Sequence, residues 1–226
     1  MSSDPLALPE DNEHGRREAH GSSPDGVPDE NQASGEVLNE DPLSAAPSDI
    51  RTAARIAPDH WIGMVDPAWR GDGTPPNWAI VGEWRSGTTG EIEEWRENDN
   101  YRPSPDALGW PAPTDDIDEA VQRASTGYGS AEDVYRLLAK ADVRVPIGPD
   151  DRILATRTPD GDPAIPVFTS DEYLRSANTP GSRAMPSTEL IDEMPTGHCV
   201  LINPTAVVSM KLEKEGLQAA IADAQT

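Results

Sequence analysis

The chain has 226 residues, enough for one sizeable domain or two small ones, yet only 35% are hydrophobic and 5% aromatic, which is lean for a chain folded throughout. Its 41 acidic and 18 basic side chains give a formal charge of −23, a field that repels phosphate backbones and anionic lipid and so argues against nucleic acid and membrane surfaces as partners. A single cysteine, Cys199, excludes an intrachain disulfide, and no run approaches the ~18 continuous apolar residues of a membrane span.

Residues 1–55 hold six prolines, twelve acidic residues, four arginines and no aromatic residue. Such a segment buries too little apolar surface to offset its lost entropy, so it reads as a disordered acidic tail. The tail does not begin with a cationic stretch followed by an apolar run, so no secretory signal is visible and the expected address is the cytoplasm.

Residues 56–113 form a tryptophan-rich β region that holds all six tryptophans. "HWIGMVDP" and "NWAIVGEW" read as short strands, with Trp78, Ile80, Gly82 and Trp84 on one face by the period of two. Gly71-Asp-Gly-Thr-Pro-Pro76 is the turn between them. "YRPSPDALGWPAP" carries four prolines in thirteen residues and reads as an extended strap. The clustered tryptophans admit two readings, a binding platform or the packing of a small antiparallel sheet.

Residues 114–226 read as an α/β domain. Ile117, Ala120, Val121 and Ala124 recur at helical spacing, with Thr114 or Asp115 available as cap. Val134, Leu137, Leu138 and Ala141 repeat that spacing behind Ser130 and Asp133, a capping pair, and Thr126-Gly-Tyr-Gly129 separates the two helices. Strands are expected at 143–147, 152–157 and 164–168, with Pro159-Asp-Gly-Asp162 as a hairpin turn between the last two. Thr169 with Glu172 three residues on has capping-box spacing, so this joint reads as a helix start. A nucleophile elbow would need flanking glycines, and "PVFTSDE" has none. A helix from Ser187, an apolar strand "CVLI" at 199–202, a short strand near Val207–Leu212 and a last helix with Leu217, Ala220, Ile221 and Ala224 complete the pattern. The fold class is therefore α+β, a small mixed sheet packed with amphipathic helices.

Chemistry-bearing residues are sparse. His198 and Cys199 are neighbours on a strand and point to opposite faces, so they cannot form a dyad. There is no second cysteine and no histidine pair at metal-ligand spacing, Asp160-Gly-Asp162 lacks the other oxygens of a calcium loop, and no phosphate-binding glycine loop occurs. No catalytic, cofactor or metal site is expected, and the chain reads as a non-enzyme. The candidate partner contacts are Trp61, Trp69, Trp78, Trp84 and Tyr128, together with the exposed side of 131–141.

Two stretches resemble known families. "LLAKADVRVPI", "PAIPVFTSDEYL" and "GHCVLINP", within residues 130–212, resemble the SseB-like domain, a mixed α/β module with no known catalytic residues. "WIGMVDPAWRGDGTPPNWAIVGEW" with "NYRPSPDALGWPAPTDDIDEAVQRASTGY" is similar to the proteins described as type VII secretion system-associated. The resemblances imply a non-catalytic cytosolic accessory or adaptor that binds a protein partner, either a secretion substrate or a machinery component. The alternative is an SseB-like regulatory or binding module unrelated to secretion. Tyr128 and Glu132 also fit the Tyr-x-x-x-Asp/Glu export signal of type VII substrates, but Trp61-Ile-Gly63 and Trp69-Arg-Gly71 fall in expected strand and turn, so export is the weaker expectation.

Overall fold

The computed structural model describes residues 45–226. Residues 1–44 of the expected tail lie outside the described residues, whereas its last part is helical: α1 (Ser48–Ile56) buries Ile50 and Ala54. The expectation of disorder up to residue 55 is corrected there. Its buried face offers one large residue, Ile50, one turn before Ala54, and Ala46 packs beside Ile50 from just ahead of the helix.

β1 (Trp61–Val65), β2 (Ile80–Ser86) and β3 (Ile92–Glu97) form an antiparallel meander in the order β1-β2-β3. Trp78 stands in a one-turn 3-10 helix at Asn77–Ala79, so the strand alternation begins only at Ile80. Gly82 has a structural cause, because a Cβ there would overlap the Trp95 ring and the Arg96 carbonyl. Between β3 and the next helix the chain crosses 98–115 with neither helix nor strand, as its prolines require.

α2 (Asp116–Thr126) starts at Asp115, whose Oδ1 accepts the Ile117 and Asp118 amides at 2.9 Å each, and ends at Gly127 in the left-handed region (φ 85°). α3 (Ala131–Leu138) is capped by Ser130, which accepts the Asp133 amide. Next come β4 (Asp142–Pro146), β5 (Thr156–Arg157), β6 (Pro163–Val167), α4 (Asp171–Ser176), β7 (Ser182–Pro186), α5 (Ser187–Glu193), β8 (Cys199–Ile202), β9 (Met210–Leu212) and α6 (Lys214–Ala224).

β4 pairs antiparallel with β7, and the other sheet runs β5-β6-β8-β9, with β6 and β8 parallel. That parallel pair requires a crossover, which α4, β7 and α5 supply. Arg144 and Phe168 exchange backbone hydrogen bonds at 2.9 Å each, tying β4 to the end of β6. The expected strand over 152–157 is divided. Leu154 N–H donates to Pro146 O, folding 147–154 back on β4, and only Thr156 and Arg157 pair with β6.

One apolar cluster runs through this α/β half, joining Val121, Leu138, Val145, Ile165, Leu190, Val200, Ile202 and Leu217 with their neighbours. β8 is buried on both faces: Val200 and Ile202 enter that cluster, while Cys199 and Leu201 meet Ala164 on the other side. The meander has its own small cluster, Ala46, Ile50 and Trp84, flanked by Ile62, Met64, Ile92 and Trp95.

Candidate functional site

The meander presents two unlike faces. On the inner face Trp84 and Trp95 lie with ring centroids 4.4 Å apart at 45°, beneath α1. On the outer face the cross-strand rows are Trp61–Arg85–Glu94 and Gly63–Glu83–Arg96. The Arg96 guanidinium sits 4.2 Å over the Trp61 ring and pairs with Glu83, and Arg85 reaches Asp59 at 3.4 Å and Glu94 at 4.0 Å. Trp61 is 38% exposed, Trp69 and Trp78 are half-buried, and Trp84 is buried.

A polar seam joins this sheet to the α/β half. Asp66, buried at the end of β1, accepts the Tyr101 hydroxyl at 2.6 Å and the amides of Ala68 and Ser104 at 2.8 and 3.3 Å. Burial pushes the Asp66 carboxyl up, but these donors outweigh it and hold the group below its ordinary value. The Tyr101 hydroxyl is driven far up by burial and by Asp66. Tyr128 stands between α2 and α3, edge-on to Trp78 at 5.1 Å, and its hydroxyl donates to Arg102 O at 2.8 Å. Arg123 donates to Tyr128 O at 2.6 Å and Ala68 O at 3.4 Å.

A second polar knot lies where the parallel strands β6 and β8 end. Asn203 holds a left-handed backbone (φ 45°), which asparagine tolerates, so its N–H donates to Val167 O at 2.8 Å and its Oδ1 accepts the Thr169 amide at 2.9 Å. Asn203 Nδ2 donates to Thr169 Oγ1 at 2.9 Å, and that hydroxyl donates to Asp115 Oδ2 at 2.7 Å. Asp115 thus caps α2 with one oxygen and anchors the 169 joint with the other. The buried Asp118 accepts the Tyr173 hydroxyl at 2.7 Å and the Thr114 amide at 2.9 Å. Burial, then this bond to Asp118, pushes Tyr173 up to about 12.

The helix start at this joint is real, but the cap is Ser170, which accepts the Tyr173 amide, and not Thr169. Both hydroxyls are engaged in structure. His60 Nδ1 lies 2.6 Å from Pro58 O and His198 Nδ1 3.4 Å from Thr196 O, so neither ring is bonded to Thr169, Ser170 or Cys199. Cys199 donates to Pro163 O at 3.4 Å, and burial raises its thiol above the ordinary value. The cleft beside it, about 480 Å³, is lined by Asp162, His198, Lys211 and Lys214, and Lys211 is already paired with Asp162 at 2.9 Å and Glu213 at 3.1 Å. Among the described residues no group of three or more His, Cys, Asp or Glu is placed to hold a metal ion, and no helix is long and apolar enough to cross a membrane.

Residues 117–219 match the SseB protein N-terminal domain. The matched stretch runs from the first turn of α2 into α6 and carries the large apolar cluster, with Asp118, Thr169, Tyr173 and Asn203 inside it. It lies within the 114–226 expected as one α/β domain and extends beyond the 130–212 of the quoted motifs at both ends, taking in α2. Asp115, the Asp66 seam, the tryptophan-rich meander and α1 lie outside the SseB match. No curated protein and no solved structure matches the chain.

Of the five candidate partner contacts, Trp61 is at the surface and Trp69 and Trp78 are partly so, whereas Trp84 and Tyr128 are interior. Trp84 is closed over by α1, and Tyr128 is a strut against Trp78 and Arg102. The Tyr128–Glu132 pattern falls on this strut and on the first turn of α3. Sequence reasoning missed Asp66, Tyr101 and Ser104. The one local sign was Asp66 accepting from Ala68 two residues on, a turn signature that "VDPAW" permits.

Proposed function

We propose that this chain is a non-catalytic cytoplasmic accessory or adaptor protein that works by binding another protein, in association with a bacterial type VII secretion system. The observation that carries the binding reading is the division of the described chain. An SseB domain with its hydroxyls and thiol engaged internally is joined to an aromatic three-stranded sheet that lies outside that match. The sheet's aromatic face is closed by one short helix, so its large apolar surface stands one displacement away from solvent. The secretion assignment rests on the similarity of the 60–128 stretch to the secretion-associated proteins. The partner is a secretion substrate or a machinery component, and the net charge of −23 favours one with basic surface.

The test is affinity purification of the tagged chain from its native host at low salt, with bound proteins identified by mass spectrometry. The expected result is enrichment of type VII substrates or machinery proteins. Recovery of the chain alone overturns the binding reading. Recovery with proteins of unrelated processes favours the second reading, an SseB-like regulatory or binding module outside secretion, which the match over 117–219 supports without help from the upstream region.

A further inference from the structure

The helix that closes the aromatic sheet is a poor lid by its own chemistry. α1 is nine residues long, too short to be stable in isolation, and its Pro47 start has no side-chain cap. It buries Ile50 and Ala54, with Ala46 packed just ahead of its Pro47 start, so only one of the three is large. Beneath it Trp84 Nε1 is buried without a hydrogen-bond partner, a cost that this occupant leaves standing. The helix end is tied down by the Ser86 hydroxyl donating to Ala57 O at 2.7 Å. Gly90, at φ 78°, lets the β2–β3 turn approach the helix backbone at Arg55.

Charge also matches across this contact. Arg51 and Arg55 share a cleft of about 460 Å³ with Glu91, just ahead of β3. The sheet thus accepts a helix with one large and one small apolar residue a turn apart and basic residues beside them, as α1 itself demonstrates.

We propose that the inner face of β1–β2–β3 is a helix-receiving cradle, that α1 is its internal occupant, and that a basic amphipathic helix of a partner protein displaces α1 to bind there. The proposal rests on the protein-binding reading and names its site and the chemistry of its partner. A partner helix that places an acceptor against Trp84 Nε1 and a larger side chain at the alanine positions outcompetes α1. Displacement makes Trp84 a direct contact after all.

The test uses the full-length chain with Ile50→Glu, which weakens α1 as occupant, and a fluorescent synthetic peptide of residues 45–57 as the probe. Binding is followed by anisotropy, and tryptophan emission reports on Trp84 and Trp95. The peptide is expected to bind the variant at least tenfold more tightly than the wild-type chain and to reverse a red shift in the variant's emission. A peptide carrying the same Ile50→Glu change is expected not to bind. Equal binding to both chains, or none to the variant, overturns the cradle. Should Ile50→Glu lose its far-UV circular dichroism, Ile50→Ala replaces it, with a threefold difference expected and equality overturning the proposal. A failed peptide assay beside successful capture of a host protein removes the cradle and leaves the binding reading; capture of nothing removes that reading itself.

Discussion

The α/β half and the tryptophan-rich meander hold their sheets together in different ways. In the first, aliphatic side chains from four helices (α2, α3, α5 and α6) and the strands bury one another; Leu138, Val200, Ile202 and Leu217 are each 0% exposed. In the second only Ala46, Ile50 and Trp84 are fully buried in the shared cluster, and the sheet is fastened to the rest of the chain by buried polar groups centred on Asp66. A close-packed aliphatic core is indifferent to pH and opens only with the whole domain. A thin aromatic cluster under a short helix, with a polar seam beside it, is expected to open alone. That difference suits the second region to exchanging one packed helix for another.

The strongest perturbation of the comparison is Leu138→Ala. It leaves a cavity in the shared core and is expected to cost about 2–5 kcal/mol, read as a lower urea midpoint with both regions unfolding together. Asp66→Ala is expected to cost about 1–3 kcal/mol, because it strands the Tyr101 hydroxyl and two amides. Its signature is a change in tryptophan emission at denaturant concentrations where far-UV signal from the α/β half is still native.

The same carboxylate sets a pH dependence with a defined sign. Its folded value is depressed, so its contribution is present above the ordinary carboxylate range, near ~4, and is lost as pH falls through the lower folded value. The wild-type tryptophan transition is therefore expected to weaken as pH falls below about 4 more than that of Asp66→Asn. Equal weakening in both chains would remove Asp66 from the seam.

Smaller effects separate structure from chemistry. Ser170→Ala removes the α4 cap and is expected to cost about 1 kcal/mol in the thermal transition with partner capture unchanged. A lost cellular phenotype with the fold intact would instead mean that this hydroxyl does more than cap α4. Trp61→Ala removes one exposed cation–π contact and is expected to change stability by only about 0.5–1 kcal/mol by denaturant titration.

Legibility in the sequence followed this same division. α2 and α3 could be read because their apolar spacing coincides with caps at Asp115 and Ser130, and β8 because "CVLI" is unbroken. β3 and β7 could not. "IEEWRE" has no buried residue and "SRAMP" buries only Met185, so neither shows an apolar pattern until its neighbour is known. α1 was hidden by its alanines. At the 169 joint a helix start was readable, but the role of Thr169 depends on Asp115 and Asn203, which lie 54 and 34 residues away. Local capping rules could not see those partners, and they assigned to Thr169 the role that Ser170 fills.

The most direct test of the regional difference is native-state amide hydrogen exchange on the full-length chain, resolved by residue. The α1 amides, including Ala57 bonded to Ala53 O, and those of β1–β3 are expected to exchange on the order of a hundredfold faster than those of β6 and β8. Uniform protection across the meander and the α/β half would mean that the two regions open only together. The aromatic sheet would then be an ordinary part of a single core.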